Sequence, residues 1–357
     1  MSGIHQFVPM LHRGDAVGRH TLALRELMVA RGIDSRIYVE LIDPETRAET
    51  TPASAYPTQS QQGDVLVYQF ATASDLAPWL GERGERLVVN YHNITPPEFF
   101  APWDNRLARH QARARTELKA IAPRAALGVA VSMHNRVDLD AAGFSTTAVV
   151  PPAAVLPAVP PPAAGEDSTG ADEVRPVGAR WLSVGRMAPN KALEDVLMAL
   201  LVTRAGPDPE ATLEIVGRPV ISTYTRALHQ LVAETGLAEA VTFRGHASDE
   251  ELAAAYTRAD VLVVTSGHEG FGVPLIEAMA AGLPIVASPQ GGLSEVVGEA
   301  SVVVDTKDPW VLAQAVADLL GDHGRRRALA AAGRRQLDSL DLATAGDRLV
   351  DLVSALA

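Results

Sequence analysis

Short apolar runs alternate along the chain with segments whose apolar residues recur at helical spacing. In the first half the runs fall at Ile4–Val8, Ser35–Val39, Val65–Gln69, Leu87–Tyr91, Leu127–Val131 and Ala148–Val150. In the second they fall at Trp181–Val184, Thr212–Val216, Val241–Phe243, Val261–Thr265, Ile285–Ala287 and Val302–Val304. Helical spacing predicts helices over Asp15–Ala30, ended by Gly32, and over Leu193–Leu201, Tyr224–Thr235, Asp249–Ala255, Pro274–Ala281 and Pro309–Leu320. The alanine-rich tail from Arg325 to Leu356 reads as helical. Strands and helices taking turns in this way predict parallel sheets with helical crossovers. A stretch from Pro151 to Gly178, rich in Pro, Ala and Gly, lacks the large apolar residues of a core and reads as a linker. At 357 residues the chain exceeds what one core usually covers. Two α/β domains are therefore expected: 1–150 and 179–335, joined by the linker 151–178 and followed by a C-terminal segment, 336–357.

The chemistry concentrates after the run Ala259 to Thr265, in His268-Glu269-Gly270-Phe271-Gly272-Val273-Pro274-Leu275-Ile276-Glu277-Ala278-Met279-Ala280-Ala281-Gly282-Leu283-Pro284. A strand enters a glycine-bearing loop and a helix opens at Pro274, a residue suited to the first helical turn because its missing N–H has no partner there. Free backbone N–H groups and the positive end of the helix then converge on one point, a ready anion site. Glu269 and Glu277 flank it, and carboxylates accept hydrogen bonds from sugar hydroxyls. Phosphate and sugar together point to a nucleotide-sugar.

A second constellation, Val184-Gly185-Arg186-Met187-Ala188-Pro189-Asn190-Lys191, also lies between a strand and a helix. Loops at the carboxyl ends of parallel strands are where such sheets take ligands. Arg186 offers a planar fork and Lys191 a compact charge, both suited to phosphate oxygens. Gly217 and Arg218 end one strand, and Arg244, Gly245 and His246 end another. Both arginines fit phosphate or base contacts and equally fit the surface. Ser266 suits a phosphate contact or a turn cap. In the first half, Asn90-Tyr91-His92-Asn93-Ile94-Thr95-Pro96 ends a strand, and Leu11-His12-Arg13-Gly14-Asp15-Ala16-Val17-Gly18 opens the first long helix, with Asp15 placed to cap it.

These motifs resemble those of the retaining glycosyltransferases of family four, the glycosyl transferases group 1, most strongly from Trp181 to Asp305. The resemblance implies a GT-B fold: two Rossmann-like α/β domains facing a central cleft, acceptor side in 1–150 and nucleotide-sugar side in 179–335. The final helix would pack back toward the N-terminal domain. It further implies that Glu277 holds the ribose hydroxyls and that the backbone of Gly270, Phe271, Gly272, Val273 and Leu275 holds the diphosphate. Arg186 and Lys191 would neutralise that diphosphate, with Ser266 beside it and Gly217 and Arg244 near the base. Glu269 and His92 would flank the transferred sugar. Similar enzymes carry adjacent glycines where this chain has Gly14 and Gly18 apart, so the expected contact at Gly14 departs from the pattern. The activity implied is transfer of a hexose-type sugar, with retention, from a UDP- or GDP-sugar to an acceptor hydroxyl. The acceptor is a sugar, a lipid-linked glycan or a small molecule. No cofactor is expected beyond the nucleotide-sugar co-substrate. No side chains show metal-ligand spacing, so a metal-independent reaction is expected. A nucleotide-sugar 2-epimerase-like enzyme of the same fold and a non-catalytic nucleotide-sugar-binding protein are the alternatives.

Composition narrows this further. A net charge of −12 argues against general nucleic-acid binding. There is no cysteine, which excludes thiol chemistry. No basic-then-apolar leader opens the chain and no apolar run approaches membrane-spanning length, so a cytoplasmic protein is expected. One stretch, 99–124, runs against the overall charge: Phe99, Phe100 and Trp103 precede a helix bearing Arg106, Arg109, Arg113, Arg115, Lys119 and Arg124. It fits a peripheral contact with the inner membrane face or a solvated helix with its aromatics tucked inward. The sequence carries no signal for oligomeric state.

Overall fold

A computed structural model of the chain describes residues 2–153, 178–288 and 290–357. The expected linker falls for the most part on 154–177, outside the described residues. Contacts divide the chain into two units, one of Met1–Ala101, Asn105–Val155 and Asp341–Ala357, the other of Pro102–Asp104 and Leu156–Leu340.

The first unit is built on strands β1 (Ile4–Val8), β2 (Ile37–Val39), β3 (Thr50–Pro52), β4 (Val65–Phe70), β5 (Arg86–Tyr91), β6 (Ala125–Ala130) and β7 (Thr147–Val149). They form one sheet in the order β3-β2-β1-β4-β5-β6-β7, and every pairing is parallel. Successive residues of β4 serve opposite faces. Leu66, Tyr68 and Phe70 join Phe7, Tyr38, Tyr56 and Tyr91 in an aromatic core. Val65 and Val67 join Leu24 and Met28 on the other face. With both faces covered, a strand reads as a continuous apolar run. β3, a Thr-Thr-Pro edge strand, has no such run and escapes that reading.

The tail is two helices, His323–Ser339 and Leu342–Ser354, not the single run expected. Between them Asp341 has φ +47, a left-handed conformation that ends the first helix and redirects the chain. The last helix belongs to the first unit, where Leu349, Val350 and Val353 are buried against Leu24 and Met28 of helix Ala16–Ala30.

The second unit carries β8 (Arg180–Val184), β9 (Thr212–Val216), β10 (Val241–Gly245), β11 (Val261–Val264), β12 (Ile285–Ala287) and β13 (Val302–Val303), parallel in the order β10-β9-β8-β11-β12-β13. The chain steps from β8 outward to β9 and β10, then returns to the far side of β8 for β11. The carboxyl ends of β8 and β11 therefore meet at a topological switch point, where open α/β sheets receive ligands. No described helix is long and apolar enough to cross a membrane.

Leu349 is 1% exposed in the shared core of the last helix and the first unit. Leu349→Ala is expected to cost about 2–5 kcal/mol, the usual range for an unfilled leucine cavity. Urea unfolding checks this, and a change under about 0.5 kcal/mol would mean that the helix is not docked.

Candidate active site at the β8–β11 switch point

Hydrogen bonds stitch together the loops that leave β8 and β11. Gly267 N donates to Asn190 O (2.8 Å), and Asn190 Nδ2 returns a bond to His268 O (3.1 Å). The buried Thr265 hydroxyl donates to Ala192 O (2.9 Å). Ala192, in the left-handed region at φ +49, turns the first loop into helix Leu193–Ala205. Tyr224 Oη accepts from Leu193 N (3.1 Å) and donates to Glu194 (2.5 Å), satisfying part of that helix start.

This stitching places Lys191 against Glu269. Lys191 Nζ pairs with Glu269 Oε1, and Ser266 Oγ donates to the same oxygen from 2.8 Å. The two charged side chains retain only 16% and 14% of their exposure. The Glu269 carbonyl accepts Gly292 N from the loop after β12 (2.9 Å), so a third loop holds the residue in place. Arg186, in the same loop as Lys191, is exposed.

Gly270, Phe271 and Gly272 follow, all buried. Gly272 has φ +92, and a Cβ there would lie 2.4 Å from Leu293 Cδ2, so only glycine fits. Helix Val273–Ala281 opens one residue earlier than expected, with Pro274 still in its first turn. Leu275 N donates to Gly272 O (2.9 Å), and the aligned peptide dipoles leave a partial positive charge at that end. Glu277, on the first turns, is 4% exposed and accepts the Tyr256 hydroxyl at 2.7 Å.

The other expected residues of this unit are placed differently. Gly217 N bonds Gly245 O (2.7 Å), and a Cβ on Gly217 would lie 1.9 Å from the Gly185 carbonyl oxygen. Its glycine is thus required by close approach of the loops after β8 and β9. Arg244 is committed to Glu214, which also meets Arg258 (3.3 Å). The structure does not bring Arg244 to the Lys191–Glu269 cluster. Sequence reasoning passed over Asn190, Thr265 and Tyr256. Asn190 and Thr265 act on backbone carbonyls, which every residue possesses, and Tyr256 lies on helix Asp249–Arg258, far from Glu277 in sequence.

In the first unit, Gly14 is exposed in a turn before helix Ala16–Ala30, and Asp15 caps that helix through Gly18 N (2.7 Å). His92 follows β5, with Nε2 2.7 Å from Gln69 Oε1 and its ring edge-on to His20 at 5.0 Å. Burial pushes His92 down to about 3. His20 is lowered well below 6.5, by burial first and by His92 second.

In the 99–124 stretch Phe100 is 5% exposed, whereas Phe99 and Trp103 are half-buried, Trp103 with its ring against Tyr224 at 5.0 Å between centroids. Arg113 pairs with Asp75 and Glu117, Arg115 bonds Ile94 O (3.1 Å), and Arg124 bonds the Arg83 carbonyl (2.5 Å).

Residues 178–336 match the family model described as glycosyl transferases group 1. The matched segment carries the six described strands of the second unit. Among similar proteins is a GDP-mannose-dependent alpha-(1-6)-phosphatidylinositol monomannoside mannosyltransferase of Mycolicibacterium smegmatis, 36% identical over 181 residues, 48% of this chain and 46% of that one. A D-inositol 3-phosphate glycosyltransferase of Salinispora arenicola is 38% identical over 160 residues, 43% of this chain and 36% of that one. The chain thus spans less than half the length of these curated relatives. Solved structures resemble the chain from end to end. Sucrose-phosphate synthase from Thermosynechococcus elongatus superposes with a TM-score of 0.78 at 23% identity, covering 100% of this chain and 99% of that one. Anabaena Alr3699/HepE in complex with UDP and glucose gives 0.73 at 18% identity, covering 99% and 100%. The fold is GT-B, and the switch-point cluster lies within the group 1 segment.

Three histidines lowered by burial, His5, His20 and His92, give the first unit a pH dependence. Folded, they stay neutral at pH values where the unfolded chain, with histidines near 6.5, takes up protons. Stability is therefore expected to be full above about pH 6.5 and to fall as pH drops toward 3. Calorimetric Tm values at pH 7.5 and 5 check this. Replacing His20 and His92 with glutamine should make the dependence shallower, and an unaltered slope would contradict the assignment.

Proposed function

We propose that the chain is a glycosyltransferase that moves a hexose-type sugar, with retention, from a nucleoside diphosphate sugar to an acceptor hydroxyl. The observation that carries the reading is the Lys191–Glu269–Ser266 cluster beside the start of helix Val273–Ala281, at the switch point of the group 1 segment. Departure of the sugar leaves negative charge on the diphosphate. A cation and oriented amides at that point stabilise it without reorganising, a term worth about 3–4 kcal/mol for each donor removed in comparable sites. Lys191 and the exposed Arg186 supply the cations. The amides of Phe271, Gly272 and Val273 supply fixed dipoles, and Ser266 a further hydroxyl. Glu277, oriented by Tyr256, accepts the two ribose hydroxyls. Glu269 holds Lys191 in place and accepts from the transferred sugar. The acceptor attacks from the face the diphosphate leaves, and a phosphate oxygen takes its proton, so no protein base and no metal ion is required. One named relative uses GDP-mannose and one structural neighbour holds UDP-glucose, which makes these two donors the first to try.

Calorimetry with GDP, UDP, GDP-mannose and UDP-glucose tests the reading. One nucleotide and its conjugate are expected to bind. Glu277→Gln, which keeps the shape but not the charge, should weaken both by about tenfold or more. No binding by any of the four would remove the donor site, and an unchanged affinity in the variant would remove the ribose contact.

Lys191→Ala is expected to lower release of nucleoside diphosphate from that donor at least ~100-fold, with the fold intact by circular dichroism. The wild-type rate should survive EDTA. Loss of that rate, restored by Mg²⁺, would overturn the metal-free scheme, and near-normal release by the variant would remove Lys191 from the site.

A further inference from the structure

Helix Leu193–Ala205 begins without a cap of its own. Its N-cap residue is Ala192, which makes no side-chain cap bond and holds φ +49 and ψ +49. N-cap positions favour Ser, Thr, Asp or Asn because a side-chain oxygen accepts one of the first backbone N–H groups. An alanine in the left-handed region is also strained, since its Cβ crowds the backbone. Both departures fall immediately after Lys191, the cation of the switch-point cluster.

Two other elements of the second unit compensate. Tyr224, the third residue of helix Ser222–Glu234, is 1% exposed, and its Oη accepts Leu193 N at 3.1 Å. That is the bond an N-cap side chain would make, supplied from 31 positions away in the chain. The same hydroxyl donates to Glu194 at 2.5 Å. Burial first, and the Glu194 charge second, raise the Tyr224 hydroxyl above its ordinary value, so the phenol keeps the proton it donates. Thr265, which follows β11, holds the other side of the turn: its hydroxyl lies 2.9 Å from Ala192 O and 3.3 Å from Lys191 O. The peptide groups flanking Ala192 are thus gripped from two directions, and the positive φ is held there.

Lys191 is confined by the same frame. Its N donates to Ala188 O (2.9 Å) and its ammonium pairs with Glu269. Its stem passes over Gly185, where a Cβ would lie 3.1 Å from Lys191 Cε. A lysine stem is flexible, so where its charge sits depends on the direction in which the backbone launches it. That direction is set by the turn that Tyr224 and Thr265 grip.

We propose that Tyr224 is a positioning residue for Lys191: its hydroxyl serves as the N-cap of helix Leu193–Ala205 and so fixes the backbone from which the Lys191 ammonium is directed at the donor diphosphate. The cap stands on the hydrogen bonds alone, and the diphosphate contact rests on the function proposed above.

Tyr224→Phe keeps the ring and removes only the hydroxyl, and two readouts separate the parts. Amide hydrogen exchange by NMR is expected to show the Leu193 N–H exchanging about tenfold faster in the variant than in the wild type. With UDP-glucose or GDP-mannose as donor, release of nucleoside diphosphate by the variant should fall about tenfold at a temperature where circular dichroism shows both proteins folded. In a Lys191→Ala background the same substitution should alter the residual rate less than about twofold, whereas a residue that merely supports the fold would slow both backgrounds alike. Unchanged exchange at Leu193 overturns the cap. A wild-type rate in Tyr224→Phe, or a tenfold loss that persists without Lys191, overturns the positioning role. A wild-type protein that releases nucleoside diphosphate from neither donor removes the proposed function and the diphosphate contact with it, while the exchange rates still judge the cap.

Discussion

The second unit depends on the seam between the loops after β8 and β11. These strands are neighbours in the sheet although two others separate them in sequence, so nothing local holds their loops together. The Gly267–Asn190, Asn190–His268 and Thr265–Ala192 hydrogen bonds do so, and each uses a backbone carbonyl as acceptor. Because the seam is set by main chain, the side chains it carries are free for other work. Lys191 and Glu269 meet only because Asn190 and His268, their sequence neighbours, are tied to the seam. Gly217 extends the same logic one strand further, since its missing Cβ lets the loop after β9 press against Gly185.

The Lys191–Glu269 pair is a poor device for stability. Removing two charges from water costs several kcal/mol for each ion, and a partly buried pair recovers that only with good geometry and further hydrogen bonds. Ser266 supplies one such bond to the carboxylate, and Gly292 N holds the Glu269 main chain. The arrangement makes better sense as a cation kept desolvated and in position. Under the proposed function, a diphosphate would meet a positive charge already stripped of much of its water, next to a helix start of the same sign.

Much of this architecture is legible in the chain. Strands buried on both faces announce themselves as apolar runs, and twelve runs anticipated all of the thirteen strands among the described residues except β3, whose Thr-Thr-Pro sequence lies at a sheet edge. The glycine-bearing loop and Pro274 were readable because a positive-φ turn and a first helical turn favour those residues wherever they occur. Arg244 was not placed by its sequence, because its partner Glu214 sits on the neighbouring strand and only the register shows that they meet. The break at Asp341 was hidden for a different reason. Its flanks keep helical spacing on both sides, and the reversal depends on one residue adopting positive φ so that the last helix docks on the first unit.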